Sequence, residues 1–165
     1  MKRFGLSGLA AVLCALTLGF VPGGNTSSFL PPSDPVKLAE WIKKNKVTIV
    51  ELVRTGAELG ADKGLIAWAK KNPAGAKEAS LALSKNISEE IMPYFKDGAK
   101  LPTAAEVKQF LASTLFKNIP NEVKLAIVTA SAVLDFYCPI PASADYLTVD
   151  QRDIVCAFFE GVRLG

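Results

Sequence analysis

The segment VKLAIVTASAVLDFYC, from Val123 to Cys138, is the most apolar part of the chain after its first 24 residues. No charged residue occurs between Lys124 and Asp135, and this uncharged run of ten residues is too short to span a bilayer. A helix that is apolar almost all round is normally buried inside a larger protein. We therefore predict that this segment forms the buried central helix of an all-α fold.

Downstream of this segment, Thr148-Val-Asp-Gln151 forms a capping box, which predicts the start of a last helix in TVDQRDIVCAFFEGVRLG. At about 100° per residue, its large apolar side chains share one face, and Cys156 projects to the polar flank. Packing in the core therefore does not account for Cys156. The apolar face consists of Val155, Phe158, Phe159 and Val162.

Cys138 and Cys156 are the only cysteines outside the first twenty residues. The chain contains no histidine, so two thiolates would supply only half of a tetrahedral zinc site. We predict a disulfide between Cys138 and Cys156, because the N-terminal sequence indicates export to a compartment where disulfides persist. Two structural free thiols, or a redox-active or reactive thiol, are the alternatives.

Upstream of residue 123, helical patterns alternate with short connectors, and there is almost no strand signal. One helix is predicted from Pro35 to about Leu59, and the glycine-rich segment GAELGADKG (56–64) is predicted to end it as a corner. A short helix, LIAWAKKN, follows this corner, and another helix starts at Asn72-Pro73. A capping box at Thr103-Ala-Ala-Glu106 predicts one more. Together these patterns predict a compact bundle of five or six helices.

The N-terminus MKRFGLSGLAAVLCALTLGFVPGG has a basic start, an apolar run and a final Pro-Gly-Gly. This layout is typical of a secretory signal peptide, with an uncleaved membrane anchor as the alternative. We predict a signal peptide or anchor over 1–23, a linker over 24–34 and a single helical domain over 35–165. The protein is accordingly expected to be exported, either secreted or periplasmic.

The charge of the chain argues against nucleic acid as a partner. Its formal net charge is +3, and Lys2 and Arg3 supply two of those positive charges. The nearly neutral remainder lacks the clustered basic charge that phosphate binding needs.

The composition also excludes several catalytic systems. Without histidine there can be no Ser-His-Asp or Cys-His nucleophile, no HExxH zinc site and no histidine-ligated haem. No serine is followed by lysine at the S-x-x-K spacing. We therefore predict no catalytic residues, no metal and no cofactor.

Two similar segments, EWIKKNK and AWAKKN, place a tryptophan before paired lysines. Such segments can dock on an anionic membrane surface, with the ring at the level of the lipid headgroups. Amphipathic helices with tryptophan at the edge of the core and lysines pointing outward have the same pattern. The candidate membrane or partner surface consists of Trp41, Lys43, Lys44, Trp68, Lys70 and Lys71.

From these observations we expect a non-enzymatic exported domain that binds a protein partner in the cell envelope or extracellular space. The alternative is a helical carrier of a lipid or other apolar ligand, because bundles can build ligand sites between their helices. A catalytic domain that uses carboxylates is the third hypothesis, with the least support in the sequence.

Overall fold

A computed structural model describes residues 29–96, 98–141 and 144–165 of the chain. This part is all-helical, with five α-helices and no strand, which confirms the predicted all-α fold. The predicted signal peptide or anchor, residues 1–23, lies outside the described residues. The helices are α1 (Pro35–Ala69), α2 (Pro73–Lys85), α3 (Ala104–Gln109), α4 (Asn121–Tyr137) and α5 (Val149–Leu164).

Helix α1 starts where the sequence predicts but ends later. The Asp34 side chain accepts a hydrogen bond from the backbone N–H of Lys37 at 2.9 Å, and Pro35 occupies the first turn. The helix then continues for 35 residues, through the glycine-rich segment 56–64, to Ala69. The predicted corner at this segment, and the separate helix after it, were therefore wrong.

The glycines of this segment serve helix packing and do not form a turn. Gly56, Gly60 and Gly64 recur every four residues, on the side of α1 that packs against α4. A Cβ atom at Gly64 would lie 3.1 Å from the Val123 Cα, so only glycine fits here without displacing α4. Close packing of the two helices offsets the low helix propensity of glycine, about 1 kcal/mol per residue.

Helix α4 is amphipathic and lies on one side of the bundle. Ile127 and Leu134 are buried, but Leu125, Val128 and Phe136 on the opposite side are 68%, 45% and 37% exposed. The prediction of a central helix buried almost all round was wrong. The central position belongs to α1, which packs against both α4 and α5 and is long enough to contact both along their length.

Helix α5 follows its sequence pattern. Its capping box is present, with the Thr148 hydroxyl accepting from the Gln151 N–H at 3.2 Å, and its predicted apolar face is buried. Gly161 brings this helix against α1, since a Cβ there would lie 2.2 Å from the Arg54 carbonyl oxygen. The second predicted capping box, at Thr103 and Glu106, is present as well.

Two π-helical turns, Asn86–Ile91 after α2 and Phe110–Thr114 after α3, are joined by one buried side chain. The Asn86 amide donates to the carbonyl oxygens of Leu115 and Lys117, at 3.1 and 3.0 Å. The two carbonyl oxygens lie just after the second π-helical turn, where the helix offers them no backbone N–H donor. The Asn86 side chain, about 30 residues earlier in the chain, supplies the donors instead.

Candidate functional site

The structure contains no bond between Cys138 and Cys156, and both are free thiols. This corrects the predicted disulfide. Cys138 is fully buried in the core at the end of α4, whereas Cys156 is half-buried on the flank of α5, with its thiol 4.0 Å from a carboxylate oxygen of Glu160. The position of Cys156 on the flank of its helix was predicted correctly. That position does not require a disulfide, because the side chain of Cys156 is half-buried beside Glu160 without one.

Neither thiol is suited to nucleophilic chemistry. Burial raises the pKa of Cys138 to about 12, with a smaller contribution from the nearby Asp135 carboxylate. Burial also raises the pKa of Cys156 to about 11, again assisted by acidic neighbours, Glu160 first. Since the thiolate is the reactive form, these raised pKa values keep both cysteines protonated near neutral pH and slow their reactions as nucleophiles.

The first of the two Trp-Lys segments lies near the start of α1. The half-buried Trp41 ring lies 6.3 Å from that of Tyr137 and nearly parallel to it, and 5.4 Å from the ring of Phe29. Lys43 and Lys44 are exposed. The tryptophan therefore anchors the start of α1 to the end of α4, and the lysines are left to face solvent.

The second segment lies at the other end of α1. Trp68 packs against the start of α2, where a Cβ at Gly75 would lie 3.0 Å from the indole nitrogen. This buried nitrogen has no hydrogen-bond acceptor among the described residues. Lys71 pairs with Glu122 of α4 at 3.3 Å, and Lys70 is exposed.

The structure does not bring the two segments together. Trp41 and Trp68 belong to one continuous helix, in which 27 residues correspond to about 40 Å along the axis. At about 100° per residue they also point to opposite sides of α1. The six residues therefore form two separate surfaces, and each remains a candidate by itself.

Lys43 lines an open groove, which we call the α1–α5 groove. The groove lies between the first part of α1 and the start of α5 and has a volume of about 320 Å³. Its charged side chains carry both signs, which distinguishes it from a basic membrane-docking face. The lining residues are Ala39, Glu40, Ile42, Lys43, Thr148, Asp150 and Gln151.

An ion-pair network links the two helices beside this groove. The Lys46 ammonium lies 3.0 Å from a carboxylate oxygen of Asp150 and 2.5 Å from one of Asp153. Hydrogen bonds from Lys46 to Asp153 and then to Asp150 raise the lysine pKa. Burial opposes ionisation of Asp153, but hydrogen bonds from Lys46 and Arg152 outweigh it and hold its pKa below the usual value.

Exposed valines accompany the groove. Val36 and Val47 are 71% and 79% exposed, and their spacing of seven and four residues from Lys43 places them on the same side of α1. Val149, next to the groove on α5, is 53% exposed. These valines were not among the surface residues predicted from the sequence. Their helical spacing was visible in the sequence, but the packing of α5 against α1 was not.

Two further features, a membrane-spanning helix and a cluster of metal ligands, were sought in the described part of the chain. Within it, no helix combines the length and apolar character needed to cross a membrane. The same residues include no group of three or more cysteine and acidic side chains arranged to hold a metal ion.

Comparison of the chain with protein-family models, with curated proteins and with solved structures finds no significant match.

Proposed function

We propose that this protein is an exported, non-enzymatic helical domain that binds a protein partner in the cell envelope or extracellular space. The observation that carries the proposal is the α1–α5 groove, an open surface with charges of both signs beside strongly exposed valines. Apolar side chains next to a polar rim are the usual composition of a protein-binding surface.

The charge of the groove favours a protein partner over an anionic lipid surface. Lys43 is accompanied by Glu40 and Asp150, so the positive charge that would attract lipid headgroups is balanced locally. A protein partner can meet such a mixture with charges of both signs.

The shape of the groove favours a protein partner over a small apolar ligand. Sites for small ligands enclose most of the molecule and are lined mainly by apolar side chains. The α1–α5 groove is open to solvent and does not enclose its contents. A carrier of an apolar ligand would need an enclosed cavity, and the α1–α5 groove is not such a cavity.

The exported location rests on the N-terminal sequence alone. Its basic start, apolar run and Pro-Gly-Gly ending are typical of a signal peptide, with an uncleaved anchor as the alternative. An intact mass that lacks residues 1–19 or 1–23 would support export with cleavage, and a full-length mass would favour the anchor.

Site-specific photo-crosslinking in cells tests the binding proposal. A crosslinker at position 43, in the groove, is expected to capture one protein, whereas a crosslinker at the exposed position 78 on α2 is not. Ala39→Arg fills the groove and should abolish the capture. Ala74→Arg, at an exposed alanine of α2, is the matched control and should leave it unchanged.

Two results would contradict the proposal. Equal capture from positions 43 and 78 would show that the groove has no specific role. A bound small molecule of several hundred daltons, seen by native mass spectrometry and released on denaturation, would favour the carrier alternative.

A further inference from the structure

Helix α4 has an apolar face that no described part of the chain covers. At about 100° per residue, Leu125, Val128, Ala132 and Phe136 lie within about 80° of arc, on the side opposite Ala130, which contacts α1. We call these four residues the outer face of α4. Leu125, Val128 and Phe136 are exposed, and Ala132 is half-buried.

Two opposite charges lie along one edge of this face, at its two ends. Lys124 and Asp135 differ by only about 20° around the helix and bound the uncharged run between them. Lys124 lies over the ring of Phe116, with its nitrogen 5.3 Å from the ring centroid. Asp135 has no ion-pair partner among the described residues, and burial raises the pKa of its carboxyl.

The outer face is complementary to a second copy of itself. The pairs Leu125 with Phe136, Val128 with Ala132, and Lys124 with Asp135 all have their midpoints within about half a residue of position 130. A two-fold axis at this position would align two α4 helices antiparallel. It would place Leu125 against Phe136 of the second copy, and Val128 against its Ala132.

Charge complementarity distinguishes this arrangement from a parallel one. In the antiparallel pair, the same axis brings Lys124 of each copy opposite Asp135 of the other, so two ion pairs form along one edge. A parallel two-fold pair would place this edge of the two copies on opposite sides of the interface, so neither ion pair could form. The small Ala132 near the centre lets the two helices approach closely.

We propose that the outer face of α4 binds a second copy of this chain, in an antiparallel two-fold dimer with α4 against α4. The dimer is distinct from partner binding in the α1–α5 groove, because it uses another helix. A single helix face buries less surface than a standard interface, so we expect a reversible, concentration-dependent dimer.

Sedimentation equilibrium of the full chain, over a wide micromolar range, tests the proposal. The wild type is expected to shift from monomer to dimer as its concentration rises. Val128→Glu places a charge at the centre of the interface and should weaken dimerisation at least about tenfold. Leu81→Glu, at an exposed leucine of α2, is the matched control and should leave dimerisation unchanged. Far-UV circular dichroism checks that both variants are folded.

Charge reversal tests the antiparallel register. Lys124→Glu sets two acidic groups against each other in the homodimer, and Asp135→Lys sets two basic groups against each other, so each variant alone should be mainly monomeric. An equal mixture of the two variants restores both ion pairs and should form a heterodimer. The doubly substituted chain should dimerise like the wild type.

Three results would overturn the proposal. They are a wild type that stays monomeric throughout the range, a dimer that Val128→Glu leaves intact, and charge variants whose mixture fails to associate. Monomeric protein that binds anionic vesicles and loses this binding in Val128→Glu would assign the outer face to a membrane surface instead.

Discussion

Gly60 of α1 and Ala130 of α4 lie in such close contact that a Cβ atom at position 60 would be 2.4 Å from the Ala130 Cβ. The Ala130 Cβ is fixed to the backbone, so no rotamer change could relieve the clash. By contrast, a Cβ at Gly56, one turn earlier, would meet Val133 at 3.5 Å, an ordinary van der Waals distance. The close approach of the two helices therefore depends on position 60 much more than on position 56.

We expect Gly60→Ala to lower the free energy of unfolding by about 1–2 kcal/mol, because overpacking outweighs the gain in helix propensity. Gly56→Ala is the matched control, and it should raise the free energy of unfolding by up to about 1 kcal/mol, since only the propensity changes. Urea unfolding of the two variants and the wild type measures both effects. Equal stabilisation by the two substitutions would contradict the packing assigned to α1 and α4.

Asn86→Ala should lower the free energy of unfolding by about 2–3 kcal/mol. It leaves two acceptors, the carbonyl oxygens of Leu115 and Lys117, without the donor that now satisfies them. Ser88→Ala, at an exposed residue of the same π-helical turn, should change stability by less than about 0.5 kcal/mol. Similar effects of the two substitutions in denaturant unfolding would show that the Asn86 hydrogen bonds contribute little.

The Lys46 network should add a pH-dependent contribution to stability. The pKa of Asp153 is lowered in the folded protein, so its contribution is present above about pH 4 and is lost as the pH falls further. The pKa of Lys46 is raised, so its contribution is present below about pH 10 and is lost at higher pH.

Lys46→Met, compared with the wild type across this range, isolates the network. Because the ion pairs are partly exposed, we expect the wild type to be more stable by no more than about 1 kcal/mol near neutral pH. This difference should shrink below about pH 4 and above about pH 10. A difference that stayed constant from pH 3 to pH 7 would exclude a contribution from Asp153 ionisation.

Native Cys156 should react with iodoacetamide about a hundredfold more slowly near neutral pH than an exposed cysteine, since its pKa is raised from 9.0 to about 11. Cys138, whose pKa is raised to about 12, should react more slowly still. Both should react readily after unfolding, and the variants Cys156→Ser and Cys138→Ser assign each reaction. An intact mass about two daltons low, with neither Cys138 nor Cys156 free after unfolding, would show a disulfide and contradict the structure.

The starting points of the five α-helices in the described residues could be predicted from the sequence, because a helix start depends on neighbouring residues. Asp34 with Pro35 marks the start of α1, and the capping boxes that begin at Thr103 and Thr148 mark the starts of α3 and α5. The buried face of α5 was equally predictable from its spacing of large apolar side chains.

The course of α1 and the place of α4 were decided by contacts between distant segments. Glycines at 56, 60 and 64 predict a break when only local propensity is considered, but the packing of α4 against them keeps the helix continuous. Similarly, the apolar composition of α4 indicated burial on all sides. Because α1 occupies the centre of the bundle, it covers only one side of α4, and the opposite side stays exposed.

For the candidate sites, the sequence by itself determined which side chains are available, and only the tertiary structure decided where they meet. The two Trp-Lys segments were visible as a repeated pattern, yet a continuous α1 holds them about 40 Å apart. Cys156 was correctly placed on a helix flank. Whether it bonds to Cys138 depends on how α4 and α5 are oriented, and in the structure the two thiols stay free. The α1–α5 groove likewise exists because α1 and α5, more than 100 residues apart in the chain, pack against each other. Local sequence sets backbone conformation over a few turns, whereas a surface built from two helices requires the packing of the whole chain.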